Sequence, residues 1–163
     1  MNFSGLKDYS HKRSLKYLRR MTADDLPEVM RVELAAYPHP WKLKNFEDCI
    51  IHPQYSCWIF ENEKEVCGHV ILSIAVGEAH LLNICVHPEK QGKGWGRKLL
   101  EEAEWIAIQH KAENCFLEVR VSNKVGLNLY ESVGYNEIGY RKAYYPGDKG
   151  REDAIIMAKA LFS

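Results

Sequence analysis

Three glycines at alternate positions, Gly92, Gly94 and Gly96, lie between an apolar run and a segment of helical periodicity. The run Leu81-Leu82-Asn83-Ile84-Cys85-Val86 reads as a buried strand, and His87-Pro88 ends it because proline removes a backbone donor and restricts its predecessor. Beyond the glycines, Leu99, Leu100, Ala103, Ile106 and Ala107 recur at helical spacing, which predicts a helix from about Gly94 to His110. Gln91, Lys93, Arg97 and Lys98 frame the turn between them. A strand, a glycine-rich turn and a helix N-terminus form an anion cradle: glycine lets backbone N–H groups approach a phosphate, and the helix dipole favours negative charge there. The stretch is expected to bind a pyrophosphate or a similar group.

Two common phosphate motifs do not fit. The dinucleotide fingerprint needs G-x-G-x-x-G and a later acidic residue, whereas this spacing is G-x-G-x-G. The P-loop needs G-K-[ST], and here Arg97 follows Gly96 and no hydroxyl residue follows Lys98. What remains, Gln91-x-x-Gly94-x-Gly96, resembles the coenzyme A pyrophosphate signature of the GNAT (Gcn5-related) N-acetyltransferases. A turn with no ligand is the plainer reading; the coincidence of glycines, a basic cluster and a helix start weighs against it.

At 163 residues the chain fits one domain with a sizeable core. Its net charge of zero argues against bulk nucleic-acid binding, and no specific DNA binding is expected. No apolar run approaches the ~20 residues of a membrane span, and the N-terminal region lacks a signal peptide's apolar core, so a cytoplasmic protein is expected. The five cysteines (49, 57, 67, 85 and 115) include no C-x-x-C pair and read as reduced, buried thiols; no metal site is expected from the His and Cys spacing.

Residues 1–14 are polar and basic and read as a flexible arm, with residues 15–163 a single domain. A sharper reading gives the arm a weak contact with ribosomal RNA. In the domain, a strand is expected at 15–21, then a helix from Thr22 and a shorter one around Leu43–Ile50, together a flap over a substrate site. Strands follow at 55–61, 65–75 and 80–86, with Cys115–Val119 next after the long helix. A helix over Gly126–Val133, a strand over Tyr135–Ala143, a turn-rich loop over Tyr144–Gly150 and a last strand from Asp153 to Ala160 complete the order β-α-α-β-β-β-α-β-α-β-β. The fold class is α/β, a seven-stranded mixed sheet flanked by about four helices.

Two residues stand out chemically. Glu118 interrupts the apolar strand Phe116–Val121; it lies either on a solvated face or in a cavity, where desolvation suits a carboxylate to accepting protons. Arg120 is the expected ion-pair partner. Tyr130 near a helix end reads as core rather than catalyst, and Asn123 as an N-cap.

Glu118-Val119-Arg120-Val121-Ser122-Asn123, Leu129-Tyr130-Glu131-Ser132-Val133-Gly134-Tyr135, Tyr144-Tyr145-Pro146 and Gly150-Arg151-Glu152-Asp153-Ala154-Ile155-Ile156-Met157 resemble blocks of the bacterial RimI enzymes. These are GNAT members that acetylate the N-terminal alanine of the eighteenth small-subunit ribosomal protein. The resemblance implies acetyl-CoA as co-substrate and that ribosomal protein's N-terminus as partner. It implies Glu118 as proton acceptor and Tyr130 as proton donor. Ile84, Cys85 and Val86 would hold the acetyl and pantetheine groups, Gln91, Gly92, Lys93, Gly94, Trp95, Gly96 and Arg97 the pyrophosphate, and Asn123 a further part of the coenzyme. Trp95 stands where an aliphatic residue is common. An acetyltransferase of lysine side chains or small amines, and an acyl-CoA-binding module without turnover, are the alternative readings.

Overall fold

The computed structural model describes residues 15–161; the expected arm at 1–14, with its RNA contact, lies outside the described residues. The chain runs β1 (Leu18–Arg20), α1 (Leu26–Ala36), α2 (Leu43–Ile51), β2 (Tyr55–Asn62), β3 (Glu65–Ala75), β4 (Glu78–Val86), α3 (Trp95–Gln109), β5 (Asn114–Arg120), α4 (Lys124–Ser132), β6 (Asn136–Gly147) and β7 (Gly150–Ala160). The strands form one sheet in the order β1-β2-β3-β4-β5-β7-β6. Every neighbouring pair is antiparallel except β4 and β5, which α3 joins as a crossover.

Both faces of the sheet are covered. Val29, Val32, Phe46 and Cys49 of α1 and α2 pack on Cys57, Ile59, Ile71 and Cys85. Leu99, Leu100, Ala103 and Ile106 of α3 pack with Tyr130 of α4 on Phe60, Val70, Leu72 and Leu117. This double cover explains why β3 reads as nearly continuous apolar sequence; residues Val66–Leu72 are all buried. All five cysteines are buried thiols outside any disulfide.

The element order is the expected one, and several boundaries differ for local reasons. β1 is shorter than 15–21 because the N–H groups of Lys16, Tyr17 and Leu18 donate to the Glu102 carboxylate at 2.5, 3.1 and 2.9 Å rather than to a strand. The Thr22 N–H bonds to Asp25 Oδ2 at 2.8 Å around a 3₁₀ turn at Ala23–Asp25, so α1 begins only at Leu26. α4 begins two residues before Gly126, since Asn123 Oδ1 accepts the Gly126 N–H at 2.9 Å. The largest correction concerns Tyr144–Gly150. The expected loop is mostly strand: β6 reaches Gly147, β7 starts at Gly150, and only Asp148 and Lys149 turn. The pairing is irregular between Arg141 and Tyr145, where Ala143 has φ +51°. Asp153 Oδ1 accepts the Ala143 N–H at 2.8 Å and Arg151 Nε donates to the Ala143 carbonyl at 2.7 Å, which holds the irregularity in place.

Candidate active site

β4 and β5 pair from Glu78 opposite Asn114 to Leu81 opposite Leu117; among the described residues they pair no further. At that point β4 carries a bulge, with Ile71 facing Asn83 and Leu72 facing Leu81, so that Leu82 is the extra residue. A bulge bends its strand and increases the twist. β4 therefore stays with β3 as far as Val86 opposite Gly68, while its other edge opens into a wedge against β5. The Ile84 carbonyl on this edge accepts a hydrogen bond from the Tyr37 hydroxyl, and the Val86 carbonyl accepts one from Gln91 Nε2 at 2.8 Å. In a strand the N–H and C=O of one residue share an edge, so the Ile84 and Val86 N–H groups also face the wedge.

The glycine loop closes one end of it. His87 Nδ1 accepts the Glu89 N–H at 3.2 Å and starts a 3₁₀ turn over Pro88–Lys90. Gly92 and Gly94 follow with φ of +76° and +82°, a conformation L side chains disfavour, and Gly94 caps α3. Gly96 serves packing instead: a Cβ there would lie 3.2 Å from Leu129 Cδ2. Trp95 turns inward, its ring 4.6 Å from Phe60 and 5.1 Å from Tyr17, so it offers the cradle only its backbone. Arg97 Nη2 donates to Ser132 Oγ at 2.7 Å, and Lys98 Nζ sits 4.6 Å from the Trp95 ring centre. Two of the basic residues that frame the motif thus brace the protein. The fifteen-residue α3, with its leading N–H groups, supplies the cradle's positive end.

Glu118 is the first β5 residue past the last pair with β4, and it is partly buried. Its carboxylate accepts from Arg141 Nε at 2.7 Å, and its carbonyl accepts from the Tyr145 hydroxyl at 3.1 Å. A hydrogen bond to the Glu118 carboxylate also raises the pKa of the Tyr144 hydroxyl. The expected Glu118–Arg120 pair is absent. Arg120 instead meets Glu152 at 3.3 Å and the Pro146 carbonyl at 2.6 Å, and lies over the Tyr145 ring. Residues two apart on a strand share a face about 7 Å apart, and each reaches a different part of the β6–β7 hairpin.

Tyr130 is buried, and burial pushes its hydroxyl well above the ordinary phenol range, with Tyr145 and Cys115 contributing. Among the described residues that hydroxyl has no hydrogen-bond partner. Tyr37, at the C-terminal end of α1, is likewise raised by burial first, then by Cys85, Tyr130 and Glu33. The two phenols are thus near enough to influence one another, although Tyr37 packs on the α1–α2 face of the sheet and Tyr130 on the α3–α4 face. Asn123 is exposed and spends its side-chain oxygen on the α4 cap. Burial raises Cys85 far above the ordinary thiol range, so it stays a thiol at neutral pH.

Sequence reasoning passed over Tyr37, Arg141 and Tyr145, and also a buried polar group under β4. His69 Nε2 lies 3.5 Å from Glu33 Oε2, and Asn83 Nδ2 donates to Glu33 Oε1 at 2.8 Å. With Cys85, Glu33 and His69 place one ligand-type atom each within 4.8 Å of one another. Three elements supply them, so no spacing in the chain shows the group. Only the polar interruptions of apolar strands at His69 and Asn83 signal it. At the outer rim, His39 Nε2 lies 3.2 Å from Asp148 Oδ1, linking the α1–α2 connection to the hairpin tip.

A glycine turn at a helix N-terminus and an open parallel wedge with an acid beside it accompany the fold and sequence of an acetyl-CoA-dependent N-acetyltransferase. The chain belongs to the Acetyltransferase (GNAT) family, whose sequence pattern matches residues 18–135. It is 39% identical to the [Ribosomal protein bS18]-alanine N-acetyltransferase of Escherichia coli strain K12 over 134 residues, 82% of this chain and 90% of that one. The enzyme of the same name from Haemophilus influenzae is 31% identical, covering 88% and 98%. The crystal structure of the Escherichia coli ribosomal-protein-S18-alanine N-acetyltransferase superposes with a TM-score of 0.83 at 35% identity, covering 90% of this chain and 94% of that one. Among the described residues no helix is long and apolar enough to cross a membrane.

Proposed function

We propose that this chain transfers the acetyl group of acetyl-CoA to the N-terminal α-amine of the ribosomal protein bS18, which begins with alanine. What supports the reading is the place of Glu118 just past the last β4–β5 pair, the buried phenol of Tyr130 and the open edge of β4, in a chain that matches 90% of a relative with that activity.

The roles follow from the chemistry. Gly92, Gly94 and the first N–H groups of α3 hold the pyrophosphate, with Gln91, Lys93 and Arg97 around them, and Ile84 and Val86 hold the pantetheine and acetyl groups through their backbone. An α-amine has a pKa near 8 and is mostly protonated at neutral pH, so a proton must leave before attack. Glu118 takes that proton, directly or through a water. The amine attacks the thioester carbonyl, and the β4 N–H groups at the wedge stabilise the oxyanion. Tyr130, which keeps its proton at neutral pH, protonates the departing thiolate. Transfer is direct within a ternary complex, and Cys85, a buried thiol, forms no acyl intermediate.

Assays with an Ala-starting bS18 peptide, a lysine peptide and polyamines test the reading. Preferred turnover of the first supports it, and preferred turnover of either other class overturns it. In cells, loss of the gene should lower the mass of bS18 by the net gain of one acetyl group in place of an N–H hydrogen, about 42 Da.

A further inference from the structure

Two side chains donate to the open edge of β4, Gln91 to the Val86 carbonyl and the Tyr37 hydroxyl to the Ile84 carbonyl, next to the proposed oxyanion position. A tyrosine hydroxyl has one proton and two lone pairs. Here the proton is spent on the Ile84 carbonyl, so towards the wedge the phenolic oxygen acts only as an acceptor. An acyl thioester has no N–H or O–H near its carbonyl, whereas the incoming amine has N–H groups to donate. The oxygen lies on the face of the sheet covered by α1 and α2, where the Cys85 thiol packs. Glu33 lies one helical turn earlier on α1; its carbonyl accepts the Tyr37 N–H at 3.1 Å, which fixes the last turn of the helix and the start of the ring's path.

We propose that Tyr37 binds the acceptor amine: its phenolic oxygen, its own proton held by the Ile84 carbonyl, accepts one N–H of the attacking nitrogen. The inference rests on the acyl-transfer reading above. A neutral primary amine has two N–H groups and one lone pair. With one N–H on Tyr37 and the other directed to Glu118, the lone pair is left for the thioester carbonyl. Burial keeps the phenol un-ionised throughout the working range, so the oxygen does not turn into a competing base.

The test is Tyr37→Phe, which keeps the ring and removes only the oxygen. Its kinetics are measured with an Ala-starting peptide, and its inhibition with the same peptide lacking the N-terminal amine, a propionyl-capped chain. The expected result is a KM for the amine peptide raised about tenfold, with the Ki of the amine-free peptide and the KM of acetyl-CoA unchanged within about twofold. An unchanged peptide KM overturns the proposal. So does equal weakening of both peptides, which assigns Tyr37 to holding the α1–α2 connection. If the wild-type protein transfers acetyl to no Ala-starting peptide, the functional reading fails instead. The two peptides are then compared by direct binding, where a preference for the amine that survives in Tyr37→Phe still overturns the role of Tyr37.

Discussion

Arg141 on β6 reaches across β7 to place its Nε 2.7 Å from Glu118 Oε1 on β5. The proposed proton acceptor is thus held in place by a strand two positions away in the sheet, and the β6–β7 hairpin is part of the site's rigidity. Arg141 is mostly exposed, so solvent weakens the pair; its value lies in aiming the carboxylate.

Glu118→Gln is expected to lower kcat about 100-fold near pH 7, with acetyl-CoA binding within about twofold of wild type. The deficit should shrink above pH ~8, where the amine loses its proton unaided. A pH–rate profile of the variant parallel to that of the wild type would refute the assignment. Arg141→Gln should give a smaller loss, several-fold in kcat, by loosening the aim of Glu118.

Tyr130→Phe should slow the chemical step about 10- to 100-fold without loss of stability. Its hydroxyl is buried and has no partner among the described residues, so removing it leaves no broken hydrogen bond. Single-turnover rates and urea melts on the same samples separate this outcome from a packing role, in which stability falls and the rate holds.

Stability should decline on the alkaline side. Burial raises the Cys57 thiol to about 12 and the Cys115 thiol to about 11, against an ordinary value of 9.0. Raised folded-state values mean that the unfolded chain releases these protons first, so their contribution is complete below pH 9 and is lost as pH rises through 11–12. Each such thiol adds a slope of about 1.4 kcal/mol per pH unit within that window. Urea unfolding at pH 8 and pH 10.5 measures the effect, and Cys115→Ala should flatten it.

Glu33→Ala is expected to cost about 1–3 kcal/mol, because it leaves the buried Asn83 amide without its acceptor and removes the carboxylate 3.5 Å from His69 Nε2. A double-mutant cycle with His69→Ala should show coupling, since either change alone already breaks the pair. Independent, additive costs in urea melts would show that the contact contributes nothing.

Gly94→Ala should raise the KM for acetyl-CoA about 5- to 20-fold and leave the peptide KM nearly unchanged. The cause is the φ of +82° at the α3 cap, a conformation that costs an L residue about 1–2 kcal/mol.

The strand–glycine–helix unit, the element order and the double cover of the sheet are legible in the sequence because they rest on local signals: apolar period, proline and glycine positions, and the Asn123 cap. Glu118 and Tyr130 stand out only as polar or aromatic interruptions, and the place of Glu118 needs the β4–β5 wedge, which no local pattern encodes. Arg120 is nearer in sequence to Glu118 than Arg141 is, yet strand geometry sends it to Glu152. The hairpin was obscured by its own turn residues. Pro146, Gly147 and Gly150 read as an open loop, but cross-strand pairing and the Asp153 and Arg151 contacts with Ala143 draw them into strand.

The parting of β4 from β5 leaves an unfinished seam in the sheet. Four rungs join the two halves near Glu78–Leu81; beyond them, two backbone amides have no neighbouring strand to meet among the described residues. A pantetheine arm, with amide groups at intervals along a thin chain, is shaped to lie in such a gap as a strand would. On the proposed reading, binding closes the sheet as well as filling a pocket. The ligand-free molecule should breathe along this line, and hydrogen exchange at Ile84, Val86, Glu118 and Val119 should slow together when acetyl-CoA enters, as it does when a foldon acquires its last strand.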